Sequence, residues 1–369
     1  MRKGIKICAC MGALLFSLPV WGGCGEEKSS VQAISPKNGK IVLLANDEVA
    51  NFASGYMIGK SDDYRDIQKG DHYFMEDLKI EWTATGEPVG YEVKLSRNAD
   101  MSNAQIFNTD KAELTLPDLL VSTTYYWQVT ADYGTKKDAS KIFSFKTAST
   151  PRTIKIDGVS NTRDIGGYMT ESGKRVRQGM AFRGAYLDEI TPQGRTDAIG
   201  RYAIKTDLDL RKSNEGTSGQ GSPLGEDILY YNYSCPYYLS KTGTGINNPD
   251  NHENLANAVR VFANESNYPV LFHCSVGRDR TGMISMLLLG LLGVGYEDIC
   301  MDYELSFFSY RGCLDGATTK QMMDTFTSTY IYIAKYLDVK ESFAVNCEAY
   351  LLDVGVTQAE IDEIRRIML

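Results

Sequence analysis

The sequence contains little of what metal and nucleic-acid proteins depend on. Its 369 residues include only three histidines (His72, His252 and His273), which argues against a histidine-rich metal centre. The formal net charge of −8 implies no basic face of the kind that binds nucleic acids. Apolar residues at 43% and charged residues at 23% are ordinary for a globular protein. The length allows two domains, at least one of them with a sizeable core.

Cysteine is absent from a long part of the chain. No cysteine lies between residues 25 and 234, although the whole sequence has eight. The last third contains five: Cys235, Cys274, Cys300, Cys313 and Cys347. Because five is odd, a disulfide framework in an export compartment would leave one thiol free. The sequence leaves open whether any pair is bridged.

The beginning of the chain has the pattern of a signal peptide. A basic start is followed by an uncharged stretch, 7–23, which is shorter than the roughly 20 apolar residues of a membrane span. Two glycines before Cys24 resemble a bacterial lipoprotein processing site, which implies a lipidated Cys24 after a signal peptide at 1–23 and a polar tether at 24–34. The expected location is the outer membrane, on its periplasmic face or at the cell surface. Ordinary secretion and an uncleaved anchor are the alternatives.

Residues 35–148 have a β pattern. Five segments alternate apolar and polar residues and are separated by turn residues: 78–84, 91–96, 112–117, 124–131 and 141–147. Short alternating strands at this spacing predict an all-β sandwich. Residues 51–76 do not fit a minimal sandwich and are predicted to be an insertion.

One stretch of this region, "LLVSTTYYWQVTA", resembles part of a fibronectin type III domain. The resemblance implies that Tyr125 is a corner tyrosine and Trp82 a core tryptophan. Plain core packing is the alternative for both residues and for Trp127. No catalytic constellation is visible here, so this domain is expected at most to bind a protein or glycan partner.

A Ser/Thr/Pro-rich linker, 149–154, separates this region from one in which strand and helix patterns alternate. The alternation over 155–369 predicts an α/β domain with a central, mainly parallel sheet flanked by helices. Near the end, Thr357 followed by Glu360 predicts a capping box at the start of the last helix.

The segment "YPVLFHCSVGRDRTGMISMLLLG" carries the chemistry. It predicts a buried strand, a short loop beginning at Cys274 and a buried helix. A helix N-terminus and a loop of backbone N–H groups bind anions, and a guanidinium such as that of Arg280 grips two anion oxygens. Cations and helix N-termini also stabilise thiolates. A thiolate facing a bound oxyanion suits phosphoryl transfer through a covalent cysteinyl-phosphate.

These residues resemble the His-Cys-x5-Arg-Thr-Gly signature of the protein tyrosine phosphatase superfamily. Three further motifs in the same order resemble its bacterial and fungal branch: "NTRDIGGY" (161–168), "KTDLDLR" (205–211) and "DICMDYELS" (298–306). The resemblance covers 155–369. It implies a phosphatase that needs no metal and no cofactor.

The resemblance also implies roles for individual residues. Cys274 is expected to be the nucleophile, and Arg280 to bind the phosphate and stabilise the transition state. Thr281 is expected to bond the sulfur, and His273 to hold the loop in shape. The loop amides that face the phosphate are expected from Ser275, Val276, Gly277, Arg278 and Asp279.

The general acid has two candidates. Asp279 matches an aspartate that the branch carries in the loop, with salt bridging as the alternative role. Asp209 lies in "DLDLR", with anchoring of the strand end as the alternative. No Trp-Pro-Asp tripeptide is present.

Supporting roles are expected around the loop. Asn161, Arg163 and Asp164 are predicted to brace it, with Arg163 pairing to Asp164, while direct contact of Arg163 with substrate is the alternative. Arg183 is predicted to brace as well. Arg278 replaces the lysine usual in the branch, and it is expected either to favour a doubly anionic ligand or to face solvent.

The leading hypothesis is hydrolysis of phosphotyrosine, with dual specificity open. The second keeps the chemistry but takes phosphoinositides or soluble inositol phosphates. The third is a non-catalytic surface lipoprotein. A sulfurtransferase also uses a loop cysteine, but Arg280 at the sixth position fits phosphate better.

Overall fold

The computed structural model describes residues 30–65, 70–71, 73–241, 243, 245–313 and 318–369. The predicted signal peptide, Cys24 and the first part of the predicted tether lie outside these residues and stay predictions. Within these ranges, every helix is too short or too polar to span a bilayer. The five cysteines of the described residues all carry free thiols.

Two sheets occupy the first part of the described chain. One has the order β1-β3-β6, and the other has the order β2-β9-β7-β4-β5 with β8 added along β7. The strands are β1 Gln32–Ser35, β2 Lys40–Val42, β3 Leu78–Thr83, β4 Gly90–Ser96, β5 Gln105–Thr109, β6 Glu113–Leu116, β7 Thr124–Asp132, β8 Lys137–Ala139 and β9 Phe143–Thr147. All pairs are antiparallel except β2 with β9.

Both sheets contribute to one hydrophobic cluster. In β7, Tyr125, Trp127 and Val129 are buried while the residues between them are partly exposed, so one face of the strand is apolar. The Trp82 and Trp127 rings lie 6.4 Å apart between centroids. The Tyr125 hydroxyl accepts a hydrogen bond from the Leu120 N–H at 2.8 Å. These contacts show core packing, and the fibronectin type III assignment stays a prediction.

The second part is built on a six-stranded sheet of order β10-β11-β12-β15-β13-β14. The strands are β10 Arg152–Thr153, β11 Arg163–Asp164, β12 Ala181–Gly184, β13 Thr206–Asp209, β14 Leu229–Asn232 and β15 Val270–His273. Strands β12, β15, β13 and β14 run parallel, as the sequence predicts for this domain. Strands β10 and β11 extend the sheet in antiparallel fashion.

The described residues form eight α-helices, and all but the first belong to the second part. They are α1 Asp47–Ser54 in the first part and then α2 Pro192–Thr196, α3 His252–Arg260, α4 Asp279–Leu291, α5 Tyr296–Glu304, α6 Thr319–Ala334, α7 Phe343–Asp353 and α8 Gln358–Met368. Short 3₁₀ or π turns lie at Ser61–Asp63, Asp197–Arg201, Pro249–Asn251, Val261–Ala263, Glu265–Asn267, Leu305–Phe308 and Arg311–Cys313. Helix α4 is buried from Thr281 to Leu291, which places it in the centre of the largest core cluster. The predicted capping box at Thr357 and Glu360 is confirmed.

The two parts contact each other directly. Arg152 bridges Asp118 of the first part, at 2.6 Å, and Asp164 of the second, at 2.7 Å. Part of the predicted insertion at 51–76 packs on the second part of the chain, while Met75 lies against the core of the first two sheets. Phe52 of α1 packs in a cluster with residues that follow or belong to α5, namely Met301, Leu305 and Phe308.

Candidate active site

Cys274 lies between β15 and α4, at the carboxyl edge of the parallel strands. Strand β15 ends at His273, and α4 begins at Asp279. The Cys274 side chain is 1% exposed. The first turn of α4 adds unpaired N–H groups and the positive end of the helix dipole at this edge. The arrangement therefore suits an anionic ligand.

Gly277 allows the loop to lie close against the sheet. Its φ is +70°, a conformation that side chains disfavour. A Cβ atom at this position would lie 2.5 Å from the carbonyl carbon of Gly184 at the end of β12. Only a glycine fits here, so the backbone at the end of β12 fixes the path of the loop.

Arg280 is held in place by Glu215, a residue of the loop that follows β13. Two Nη···Oε bonds of 2.9 Å join the guanidinium to the carboxylate. Ser275 closes the group, because its hydroxyl donates to Glu215 Oε2 at 2.9 Å and accepts from Arg280 Nη2 at 2.9 Å. A bidentate pair of this kind fixes the plane of the guanidinium. A phosphate would therefore meet an arginine that is already oriented.

Electrostatics keep this pair charged. Burial raises the pKa of Glu215, but the hydrogen bonds and charge of Arg280 outweigh burial and leave this pKa below its usual range. Burial lowers the pKa of Arg280, but Glu215 and the nearby Cys274 outweigh it, so the net shift is upward. Both partners are thus ionised at neutral pH.

A buried charge cluster holds the loop from the other side. Arg183 of β12 donates to the carbonyl oxygen of Gly277 at 2.8 Å and pairs with Asp302 of α5. Arg163 of β11 donates to the same carboxylate at 2.9 Å. Burial raises the pKa of Asp302, but the two arginines outweigh it and the net shift is downward. One carboxylate thus orients two arginines, and one of these holds the loop.

Asn161 also contacts the loop. Its side-chain amide donates to the carbonyl oxygen of Val276 at 2.9 Å. The predicted ion pair between Arg163 and Asp164 is wrong, since Asp164 pairs with Arg152 at 2.7 Å. Arg163 and Asp164 are consecutive in β11, and consecutive strand residues point to opposite faces of a sheet. Both residues are buried. Arg163 reaches Asp302 and the Asn161 side chain beside the loop, whereas Asp164 bonds Arg152, and its bracing role stays a prediction.

The comparison with protein families agrees with this geometry. The model of the tyrosine phosphatase family matches residues 154–369, which is more than half of the chain. The chain belongs to the tyrosine phosphatase family.

Individual relatives in the family match over shorter stretches. A Cupriavidus necator protein that carries a tyrosine-protein phosphatase name is 27% identical over 172 residues, which are 41% of this chain and 61% of the relative. A tyrosine-protein phosphatase of Nostoc commune is 30% identical over 147 residues, which are 35% of this chain and 49% of the relative. The chain therefore spans less than two thirds of the length of either relative.

Two solved structures are similar over less than half of this chain. The core catalytic domain of the PP-IP phosphatase SIW14 from S. cerevisiae, in complex with citrate, is 15% identical. The overlap covers 47% of this chain and 92% of that one, with a TM-score of 0.28. A second structure of the Siw14 catalytic core is 18% identical, covers 43% and 87%, and has a TM-score of 0.27. Family membership therefore depends on the sequence match.

Asp279, the first candidate for the family's general acid, begins α4 at the rim of the loop. Its carboxylate accepts from Arg278 Nε at 2.9 Å and from the Tyr238 hydroxyl. The Tyr238 hydroxyl also contacts that of Tyr303. The Asp279 side chain is 22% exposed, so a leaving group can reach it.

Asp209, the second candidate, is enclosed. Its side chain is 1% exposed. Arg211 donates to it through Nε and Nη2, each at 2.9 Å, and through its backbone N–H at 2.9 Å. Burial raises the pKa of Asp209, but His273 and Arg211 outweigh it and leave it lowered. An ionised, enclosed carboxylate has no proton to give, so this placement favours the anchoring role.

Arg278 departs from both of its predicted roles. It is 1% exposed, its Nη1 donates to the carbonyl oxygen of Gly312 at 2.6 Å, and its guanidinium lies 5.5 Å from the Phe307 ring centroid. A side chain packed in this way neither faces solvent nor offers a second open cation to a substrate. The backbone amide of Arg278 remains in the loop, where its predicted phosphate contact is unaffected.

His273 directly precedes Cys274, and Thr281 lies in the first turn of α4. His273 Nε2 lies 2.8 Å from Asp207 Oδ1, and the ring is buried. Burial lowers its pKa, but Asp207 outweighs this and the net shift is upward, which supports a structural role. The Thr281 hydroxyl is buried and has no hydrogen-bond partner among the described residues. Its bond to the sulfur therefore stays a prediction.

Two residues that matter here, Glu215 and Asp302, were not predicted as site residues. Glu215 lies in a polar loop, 65 positions before its partner Arg280. Asp302 lies inside "DICMDYELS", which predicts a helix but not which arginines that helix meets. The sequence gives one hint: Arg163 and Arg183 lie in strands β11 and β12, and an arginine buried in a sheet needs an acidic partner.

Proposed function

We propose that this protein is a cysteine-dependent phosphatase that hydrolyses phosphotyrosine, with phosphoserine and phosphothreonine as further substrates if it has dual specificity. The proposal depends on one observation. Cys274 begins the loop whose path Gly277 allows, and that loop ends at Arg280, which Glu215 orients. That arrangement stabilises a trigonal-bipyramidal phosphoryl group better than a planar or neutral substrate.

The reaction has two steps. The Cys274 thiolate attacks phosphorus, the bond to the leaving oxygen breaks, and that oxygen takes a proton from an acid, for which Asp279 is the exposed candidate. Water then attacks the cysteinyl-phosphate, the P–S bond breaks, and inorganic phosphate and the thiolate form. Arg280 neutralises the charge on the equatorial oxygens in both steps.

The charges around the loop favour a substrate with one phosphate. Among the described residues, the neighbouring arginines pair with carboxylates: Arg163 and Arg183 with Asp302, Arg211 with Asp209 and Asp188, Arg278 with Asp279, and Arg311 with Glu189. A second phosphate would have to displace one of these carboxylates from its arginine, in addition to Glu215 from Arg280.

One aromatic residue, Tyr186, lies next to the loop. The Tyr186 N–H faces the Ser275 carbonyl oxygen at 3.5 Å, and the Tyr186 ring is covered by the Arg311 guanidinium at 4.6 Å. A phosphotyrosine ring would pack favourably beside such a side chain. This side chain supports our choice of phosphotyrosine over an inositol phosphate as the substrate.

The test is a substrate panel of phosphotyrosine peptides, phosphoserine peptides and inositol phosphates, run with wild type and Cys274→Ser. We expect turnover of phosphotyrosine that Cys274→Ser lowers by a factor on the order of 10⁴–10⁶. The variant should still bind tungstate, which shows that its pocket is intact.

Other results have distinct meanings. Turnover of inositol phosphates alone would establish the second hypothesis. Tungstate binding without turnover of any phosphomonoester would support a non-catalytic binding protein. Undiminished turnover by Cys274→Ser would reject Cys274 as the nucleophile.

We also propose that the enzyme is an exported lipoprotein anchored through Cys24 at the outer membrane, with a fibronectin type III-like domain before the phosphatase domain. The uncharged leader and the glycines before Cys24 support the anchor, and the shared core of the two N-terminal sheets supports the domain. Labelling with a palmitate analogue tests the anchor, because Cys24→Ala should abolish the label.

A further inference from the structure

Residues 45–65, here called the docking segment, leave the first part of the chain and pack on the second. Helix α1 lies within this segment, and it is followed by the turn Ser61–Asp63. Phe52 of α1 contacts Phe308 with ring centroids 5.0 Å apart, in a cluster that also includes Met301 and Leu305. The family match begins at residue 154, so the docking segment is an addition to the family's own domain.

The docking segment satisfies a buried carboxylate of the phosphatase domain. Glu304, the last residue of α5, is fully buried. Its oxygens accept from the Ser61 N–H at 2.7 Å, the Gly59 N–H at 2.8 Å and the Tyr56 hydroxyl at 3.1 Å. Each of these donors belongs to the docking segment. Because a buried carboxylate without donors is strongly unfavourable, Glu304 ties α5 to this segment.

Helix α5 carries the contact onward to the catalytic loop. Asp302, two positions before Glu304, orients Arg163 and Arg183. Arg183 in turn donates to the Gly277 carbonyl oxygen at 2.8 Å. A displacement of α5 would move Asp302 and thereby release the arginine that holds the loop.

A second route passes through Phe307. The Arg65 guanidinium, at the end of the docking segment, lies 5.6 Å from the Phe307 ring centroid, and the Arg278 guanidinium lies 5.5 Å from it. Arg65 also donates to the Phe307 carbonyl oxygen. Asp62 holds Arg65 and accepts from Thr319 Oγ1 at 2.8 Å. One aromatic ring thus joins the docking segment to a residue of the catalytic loop.

We propose that the docking segment is a positioning element for the catalytic loop. The positioning residues are Arg65 of the segment and Glu304 of α5, which accepts the segment's hydrogen bonds. The segment acts through Arg183 on Gly277 and through Phe307 on Arg278, and it touches neither substrate nor nucleophile. The proposal depends on the phosphatase function proposed above, but not on the identity of the substrate. It implies that the family's domain in this chain needs residues outside the family match for full activity.

The experiment compares full-length wild type with Glu304→Gln, Arg65→Ala and Tyr56→Phe. The control is Lys60→Ala, since Lys60 lies in the same segment with its side chain 54% exposed. For each protein, kcat and KM are measured with p-nitrophenyl phosphate, the Kd of tungstate by calorimetry, and folding by thermal melting. Tyr56→Phe keeps the ring and removes one hydrogen bond to Glu304. It therefore tests the contact even if Glu304→Gln fails to fold.

We expect Glu304→Gln and Arg65→Ala to lower kcat/KM about tenfold and to weaken tungstate binding by a similar factor at temperatures where they are folded. Tyr56→Phe should change both by about twofold to threefold. Lys60→Ala and wild type should be equal. Arg65→Lys, which keeps the cation, should recover most of the activity that Arg65→Ala loses.

Two results would overturn the proposal. One is wild-type kcat/KM and tungstate affinity in folded Glu304→Gln, Arg65→Ala and Tyr56→Phe. The other is a lower melting temperature as the sole effect, which shows a purely structural role. If wild type hydrolyses no phosphomonoester, the proposed function fails, and the tungstate affinities of the variants still decide whether the segment positions the loop.

Discussion

Buried charge is distributed very unevenly between the two parts of the molecule. Before residue 148, the buried polar side chains of the described residues are hydroxyls: Ser61, Ser96, Ser140 and Thr147. From residue 152 onward they include many charged groups: Arg152, Arg163, Asp164, Arg183, Asp207, Asp209, Arg211, Arg278, Asp302 and Glu304. The first part closes its core with aromatic side chains such as Trp82 and Trp127 instead.

The contrast shows what the buried charges contribute. A buried ion pair stabilises a fold no better than well-packed apolar side chains do, because both charges lose their hydration. The first part uses the apolar solution for its core. In the second part, the Asp302 carboxylate fixes the orientation of the Arg163 and Arg183 side chains as well as their position. Arg183 then holds the Gly277 carbonyl of the loop.

The most severe test breaks the charge cluster. Asp302→Asn leaves Arg163 and Arg183 buried beside a neutral partner. We expect kcat/KM with p-nitrophenyl phosphate to fall by about 100-fold or more, and the free energy of unfolding by about 3–5 kcal/mol. Enzyme kinetics and urea denaturation measure the two effects.

The matched change in the first part is Trp127→Leu. It should lower the free energy of unfolding by about 3 kcal/mol through the cavity it leaves. The kcat of the folded variant should stay at the wild-type value. A similar loss of kcat in both variants would show that the two parts are not distinguished by the role of their buried groups.

A narrower change tests the acid. Asp279→Asn should slow the hydrolysis of esters with poor leaving groups by about 100-fold, because an amide cannot protonate the leaving oxygen. Esters with good leaving groups should be much less affected. The measurement is the dependence of kcat on leaving-group pKa for a series of aryl phosphates, and an equal effect across the series would move the acid elsewhere.

Glu215→Gln should have a smaller effect. The amide keeps the size of the side chain but loses the second acceptor of the bidentate pair with Arg280. We expect kcat/KM to fall about tenfold, with a higher KM, since the arginine is no longer fixed before substrate binds. A lower KM would instead mean that Glu215 competes with phosphate for Arg280.

The smallest effect concerns the ion pair between Asp118 of the first part and Arg152 of the second. It should change stability and leave kcat and KM unchanged. Burial raises the pKa of Asp118 to about 6, although the Arg152 charge opposes the shift. The folded state therefore holds this proton more tightly than the unfolded state, and the associated stability is present below about pH 4 and lost as pH rises through 6. Because Asp118 is partly exposed and solvent screens it, the loss should be only about 1 kcal/mol. Urea titrations at pH 4 and pH 7 should show it in wild type and not in Asp118→Asn.

Local patterns predicted the α/β part of the fold and the strand, loop and helix around Cys274. The apolar strand, the Cys274 loop and the apolar helix are contiguous in sequence, so their geometry follows from local rules. The capping box at Thr357 is likewise local, and it is confirmed. Alternation predicted the strands that carry Trp82 and Trp127 for the same reason.

What the sequence could not supply is the pairing of distant charges. Arg163 has an acidic neighbour in the chain, Asp164, but strand geometry separates the two and Asp302 becomes the partner. The direction of Arg278 depends on residues 307–312, which a local motif does not include. The partners of these arginines depend on tertiary packing, which a local sequence pattern does not encode.

The pairing of the arginines around the loop also affects how a substrate arrives. Guanidinium and carboxylate groups alternate around the nucleophile, and the whole chain has a net charge of −8. Such a surface exerts little long-range attraction on a dianionic phosphoester, because steering needs a field of one sign. Capture then depends on short-range contacts within the pocket, and added salt should not slow it, because salt screens the repulsion between the negative protein and a dianion.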